Sequence, residues 1–276
     1  MSYIVAIDQG TTSTRSILFD KNMKPLSASQ REFKQYFPKS GWVEHNPNDL
    51  WETTVSTFKE VLEKSGLSAG KVSGIGITNQ RETTLVWDRK TGQCLSNAIV
   101  WQDRRTSEFC KELKGQDLEE MITRKTGLLL DPYFSSTKLN WLLNNIPGGM
   151  AKAKNGELIF GTVDTYLIWK LTGGRSHVTD ATNAARTMLF NVKDNNWDEE
   201  ICDLMDVSVN MLPKVLDCSD YFGEVEESIF GASIPILGVA GDQQAATLGQ
   251  ACFKPGMIKS TYGTGCFSLI NTGSQM

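Results

Sequence analysis

The sequence predicts an α/β fold, and three observations predict it. Short apolar runs end in polar, glycine-bearing turns. Longer segments carry apolar residues three and four apart. A strand–turn–strand pattern stands at both ends of the chain, over residues 3–19 and again over 257–270.

The elements follow in order. Residues 3–7 are apolar and run into Asp8-Gln-Gly-Thr-Thr-Ser-Thr14, and residues 16–19 are apolar again, so strand, tight turn and strand are expected. Residues 24–29 suit a third strand. Leu50, Trp51, Val55, Phe58, Val61 and Leu62 give a helix over 47–64, capped by Asn46 or Asn48. Strands are expected at 72–78, 83–87 and 98–101. Helices are expected at 104–125, 135–145, 163–171 and 194–205. A strand over 236–240 enters Gly241-Asp242, a helix follows at 243–248, and strands at 257–261 and 267–270 flank Tyr262-Gly-Thr-Gly265.

Composition excludes several classes. The 276 residues are 40% hydrophobic and 22% charged with a net charge of -4, ordinary for a globular protein and unsuited to a nucleic-acid surface. The opening residues lack a basic region and reach Asp8 too early for a signal peptide, and no apolar run approaches the ~20 residues of a membrane span. The six cysteines are scattered without a CxxC pair, which points to reduced thiols and away from a zinc site or disulfides. Only His45 and His177 are present, and neither has the surroundings of a catalytic triad.

Four clusters carry chemistry. At Asp8–Thr14, glycine lets a backbone approach phosphate, hydroxyls add donors, and Asp8 suits magnesium; a solvated hairpin tip is the plainer alternative. No P-loop is present, and Gly66-Leu-Ser-Ala-Gly70-Lys71 is one residue short of one and precedes a strand, so it reads as a loop. Thr78-Asn-Gln-Arg81-Glu82-Thr83-Thr84 at a strand end suits a polar pocket or a solvated turn, since such groups are costly to bury without partners. Trp101-Gln-Asp103-Arg104-Arg105 suits either a polyol or a half-buried tryptophan beside a salt-bridged helix start. Asp242 is a helix cap or a general base, and Tyr133-Phe134 is loop packing or a ligand contact.

Taken together and in order, these clusters resemble the glycerol kinases of the FGGY carbohydrate kinase family. The resemblance is carried by Ile7-Asp-Gln-Gly-Thr-Thr-Ser13, Gly41-Trp-Val-Glu-His45, Gly76-Ile-Thr-Asn-Gln-Arg-Glu-Thr-Thr84, Ala98-Ile-Val-Trp101, Gly161-Thr-Val-Asp-Thr165, Thr182-Asn-Ala-Ala-Arg-Thr-Met-Leu-Phe190, Gly241-Asp-Gln-Gln-Ala-Ala246 and Thr261-Tyr-Gly-Thr-Gly-Cys-Phe267. It implies the actin/hexokinase/Hsp70-like ATPase fold, a ribonuclease H-like mixed sheet flanked by helices. It implies ATP-dependent phosphorylation of glycerol with Mg²⁺, in a cytoplasmic enzyme that is homo-oligomeric at full length. Arg81, Glu82, Tyr133, Asp242 and Gln243 would bind glycerol hydroxyls, and Trp101 and Phe267 would pack on its carbons. Asp242 would be the base and Asp8 would organise Mg²⁺. Thr11, Thr12, Ser13 and Arg15 would contact ATP phosphates from one side, Gly263 and Thr264 from the other.

Two departures stand out. Family members are about twice as long, so the resemblance implies a kinase domain at 1–250 and, at 251–276, the first strands of a truncated nucleotide-binding domain. Members regulated by fructose 1,6-bisphosphate carry arginine before the Ile-Pro-Ile strand, whereas Ser233 stands here, and that control is expected to be absent. The alternatives are a sugar kinase of the same family acting on another polyol, and a catalytically silent glycerol-binding domain.

Overall fold

The computed structural model describes residues 2–275; Met1, which opens the N-terminal segment, and Met276 lie outside the described residues. Three antiparallel strands, β1 (Tyr3–Gln9), β2 (Ser13–Phe19) and β3 (Pro25–Glu32), form one half of a six-stranded sheet. On the other side of β1, Val72–Asn79 and Pro235–Gly241 add in parallel, and the short Gly223–Glu224 closes the edge antiparallel. The sheet is therefore mixed. Its register places Gln9, Asn79 and Gly241 side by side at the carboxyl ends of the three parallel strands, the place where open α/β sheets present ligand sites.

Helix α1 (Pro47–Ser65) covers one face of this sheet. The Asn46 side chain accepts from the Asn48 N–H, Pro47 opens the helix where no donor is needed, and Gly66 ends it at φ 67°. Its apolar stripe of Phe58, Val61 and Leu62 packs with Val5, Ile7, Leu18, Ile75 and Ile77. Phe58, fully buried, stacks on Phe230 with ring centroids 3.9 Å apart; burying such a side chain stabilises by about 1.5–3 kcal/mol. A second core gathers Val86, Ile99, Leu139, Leu142, Phe160 and Met188 among the helices of the middle segment. Gly66–Lys71 is the expected loop, with a short 3₁₀ turn at Ala69–Lys71.

Two expected helices are corrected. Residues 104–125 form two helices, Ser107–Lys114 and Glu119–Thr126, because Gly115 and Asp117 (φ 59°) break the run. In 194–205 only Glu199–Leu204 is helical. Asn196–Trp197 instead pairs with Phe190–Asn191 around Asn195 at φ 52°, and Asp198 caps the helix. The expected strand at 83–87 is Leu85–Asp88, paired to Leu158–Gly161, which the sequence pattern did not single out. The expected strand at 98–101 shortens to Ala98–Ile99. The last hairpin, Ile258–Tyr262 with Cys266–Ile270, pairs only with itself and stands apart from the main sheet. No helix of the described residues is long and apolar enough to cross a membrane.

Candidate functional site

At the carboxyl ends of the parallel strands lies a cleft of about 290 Å³. Its walls bring together segments distant in sequence: Asp8, Gly10 and Thr11 from the first hairpin, Arg81 and Glu82 after Val72–Asn79, and Trp101 and Tyr133 from the middle loops. Asp242 and Gln243 come from the start of helix Asp242–Gly249, with Gly263, Thr264 and Phe267 from the last hairpin.

The centre of the cleft is a carboxylate beside a guanidinium. Arg81 Nε lies 3.0 Å from Asp242 Oδ1 and 3.8 Å from Glu82 Oε1. Arg81 is nearly buried, and its second terminal nitrogen donates to the Tyr133 hydroxyl at 3.3 Å. Gly241 makes this approach possible, since a Cβ there would sit 2.7 Å from Arg81 Cγ and Cδ. Burial raises the Asp242 pKa, Arg81 pulls it down and Glu82 pushes it up. Asp242 is the first residue of its helix and Gly241 the cap, so the cap reading of this carboxylate does not hold. Its Oδ1 accepts from the Gln243 N–H at 2.7 Å, leaving Oδ2 toward the Gln243 amide at 3.4 Å.

An aromatic wall faces this pair. Trp101 meets Tyr133 and Phe267 edge-on, with centroids 5.7 and 5.9 Å away. The Trp101 indole donates to Thr11 Oγ1 at 2.8 Å, tying the wall to the first hairpin turn. That turn is fixed by Gly10 N–H to Ser13 O at 3.0 Å and by Gln80, whose amide donates to Gly10 O and Gln9 Oε1, both at 3.0 Å. Asp8 stands at the mouth of the cleft. Burial of its carboxyl raises its pKa, Arg15 across the strand pair lowers it, and Asp242 raises it further.

Residues 3–249 match the family model of the FGGY family of carbohydrate kinases, N-terminal domain. The chain belongs to this family. It is 64% identical over 274 residues to the glycerol kinase of Rhizobium meliloti (strain 1021), covering 99% of this chain and 55% of that relative. It is 60% identical over 272 residues to the glycerol kinase of Brucella ovis, again over 55% of the relative. The fold superposes on the crystal structure of Plasmodium falciparum glycerol kinase with ADP at a TM-score of 0.95 and 38% identity, over all of this chain and 55% of that one. Xylulose kinase from Lactobacillus acidophilus gives 0.87 at 25% identity, over 96% of this chain and 53% of that one. The chain thus spans about half the length of the curated relatives it matches. Its fold is the actin/hexokinase-like ATPase fold of FGGY sugar kinases.

Of the residues singled out from sequence, Asp8, Thr11, Arg81, Glu82, Trp101, Tyr133, Asp242, Gln243, Gly263, Thr264 and Phe267 share the cleft. Thr12, Ser13 and Arg15 do not line it. The Thr12 carbonyl accepts from Phe33, and Gln30 takes up both Ser13 and Arg15 on the β3 side. The Trp101–Arg105 cluster divides: Asp103 and Arg105 form a structural pair at 2.8 Å, with Arg105 also on Glu44 and stacked 3.7 Å over Trp42.

Three supporting residues escaped the sequence reading. Arg186 Nε donates to Glu82 Oε1 at 2.7 Å and lies over the Tyr133 and Phe134 rings. Lys138, fully buried, donates to the carbonyls of Pro132, Tyr133 and Phe134 at 2.6, 2.6 and 3.0 Å. Lys259 reaches from the last hairpin to the Gln243 amide oxygen. Lysines and arginines are common on surfaces, and nothing in their spacing marked these as inward. No group of three or more His, Cys, Asp or Glu among the described residues forms a metal cage. A lone carboxylate at a cleft mouth, with a second one electrostatically coupled to it, fits magnesium, which keeps several waters and needs only one or two carboxylates beside phosphate oxygens.

Proposed function

We propose that this chain carries the acceptor side of an ATP-dependent glycerol kinase, which makes sn-glycerol 3-phosphate. The observation that carries the reading is the convergence of the Arg81–Asp242 pair with an aromatic wall in a cleft sized for a small polyol. A polyol has hydroxyls that need paired partners and carbons that need an apolar surface. Arg81, Glu82, Tyr133, Asp242 and Gln243 supply the first, Trp101 and Phe267 the second. A buried site of this kind rejects alcohols that leave its polar groups unpaired.

In this reading the terminal glycerol hydroxyl lies against Asp242. As its oxygen bonds to the γ-phosphorus and the bond to the ADP oxygen breaks, the hydroxyl proton passes to Asp242. The transition state of such transfers is loose, so positioning and charge outweigh base strength. Asp242 then serves chiefly to orient the hydroxyl and receive the proton late. Gly10, Thr11, Gly263 and Thr264 would approach the phosphates from opposite sides. Asp8 would hold magnesium through water, where the ion supplies neutralising charge to the phosphates.

Residues 1–250 as one domain, with the last hairpin opening a second, belong to the same reading, as do a cytoplasmic location and self-association of the full-length enzyme. Control by fructose 1,6-bisphosphate does not, since Ser233 is occupied with Glu224 at 2.8 Å and brings no positive charge.

The test is glycerol-dependent ADP release from MgATP by the purified chain. Asp242→Asn should lower the rate by about 10²–10⁴-fold, the range for a positioned base. Equal rates in both proteins would remove Asp242 from its role. Release with a pentulose or aldonate in place of glycerol would move the assignment to another polyol. A folded chain inert toward every alcohol would make it a silent binding domain.

A further inference from the structure

Beneath the cleft lies a polar network that the proposed chemistry does not use. Asn79, Asp164, Asp180 and Asn183 are all fully buried. Asn79 and Asn183 exchange reciprocal amide bonds at 3.1 Å, joining the end of strand Val72–Asn79 to the short helix Ala181–Ala184. Asp180 receives Asn183 Nδ2 at 2.7 Å on one oxygen. On the other it receives the Thr182 N–H at 2.8 Å, the Thr182 hydroxyl at 2.5 Å and the Cys218 thiol at 3.2 Å. The Gly241 N–H reaches Thr182 Oγ1 at 2.9 Å.

The direction of this chain is fixed by chemistry. A peptide N–H only donates, so the Thr182 oxygen accepts. Its single proton then goes to Asp180, which every recorded bond treats as an acceptor. Gly241 is the cap residue of the helix that begins at Asp242, and that helix end has no side-chain cap of its own.

We infer that Thr182 and Asp180 are positioning residues for Asp242: the relay from the Gly241 peptide through the Thr182 hydroxyl to the Asp180 carboxyl fixes where the first helical residue places its side chain. The inference rests on the reading of Asp242 as the proton acceptor, and its test separates the two.

Thr182→Val keeps the shape of the side chain and removes both bonds; Thr182→Ser keeps the hydroxyl. The ¹³C resonance of the Asp242 carboxyl, assigned by its loss in Asp242→Asn, reports that side chain's surroundings without any turnover. Thr182→Val should shift this resonance and lower kcat for glycerol-dependent ADP release about tenfold, the worth of one buried hydrogen bond. The glycerol KM should change less than kcat, because Arg81, Glu82, Tyr133 and the aromatic wall still hold the substrate when Asp242 shifts. Thr182→Ser should restore the resonance and most of kcat. Should Thr182→Val fail to fold, Thr182→Ala carries the same expectation. An unshifted resonance in the valine or alanine variant, or a serine variant that behaves like valine, overturns the inference and leaves Thr182 a structural residue. Should the wild-type chain give no ADP release, it is the silent binding domain, and the resonance alone still decides the relay.

Discussion

The cleft is built from two regions of opposite character. Its floor is dry: Gln9, Asn79, Gln80, Asp164, Asp180 and Asn183 are between 0 and 2% exposed, and strand ends and buried amides hold one another there. Its roof, the hairpin Ile258–Ile270, is wet. Tyr262 is 83% exposed, Ile258 62% and Ile270 54%, and the two strands pair only with each other. Both regions offer a glycine–threonine turn to the same space. The first turn is held by Gln80 and Trp101, whereas the second reaches the rest of the chain largely through Lys259 on Gln243 and Phe267 against Trp101 and Arg81. Turn composition therefore says what a segment can touch; the packing behind it decides how firmly it is held.

The comparison breaks or sharpens at four points. The largest effect belongs to the floor. Desolvation and the neighbouring Asp180 raise the Asp164 carboxyl from 3.8 to about 7. The folded protein holds a proton there that the unfolded chain gives up, so this contribution is full below 3.8 and is lost as pH rises toward about 7. The swing is at most on the order of 4 kcal/mol. Urea unfolding between pH 4 and 7 should show stability falling in wild type relative to Asp164→Asn; parallel curves would mean Asp164 is ionised in the fold.

Next comes Gln80→Leu, which strips partners from Gly10 O, Gln9 and Thr83. It should cost about 2–3 kcal/mol in global unfolding, the penalty of buried polar groups left unpaired. A loss confined to hydrogen exchange near residue 10 would show the floor to be less cooperative than its burial suggests. Trp101→Phe keeps an aromatic ring in the wall but removes the indole donor to Thr11 and part of the surface that meets Tyr133 and Phe267. About 1 kcal/mol is expected, read as a roughly fivefold rise in glycerol KM. No change would mean wall and turn are independent. The smallest global effect falls on the roof. Lys259→Met should leave global stability within about 1 kcal/mol, because desolvation of the cation offsets what Gln243 and the Asp242 charge contribute. Exchange across Ile258–Ile270 should nevertheless quicken, and exchange rates equal to wild type would show that another contact secures the hairpin.

Much of this frame was legible in the amino-acid order. Helices at 135–145 and 163–171 follow directly from spacing, and the floor strands from the apolar runs at 3–7 and 72–78, which the structure extends to Gln9 and Asn79. What spacing could not give is what a side chain meets across the fold. Residues 104–125 keep a helical apolar period throughout, and the break at Gly115, which ends the first helix, and at the left-handed Asp117 interrupts the backbone without interrupting that period. Ser13 and Arg15 carry the right groups for phosphate, yet strand alternation and register put them on Gln30. Asp103 and Arg105 sit two and four residues from Trp101 and serve the packing of Trp42 and Trp141 instead. Lys138 and Arg186 look like surface charges until the loop at 132–134 folds over them.

The Lys138 clasp has a consequence for how such a site changes over generations. Its ammonium grips the main-chain carbonyls of residues 132–134 with all three of its protons. The grip is indifferent to which residue stands at 133. A lineage can exchange the wall residue that meets the substrate while the loop keeps its path, so selection acts on taste and leaves the scaffold alone. An exchange at 133 should leave the loop path intact while a change at 138 releases it, although only Tyr133 faces the cleft.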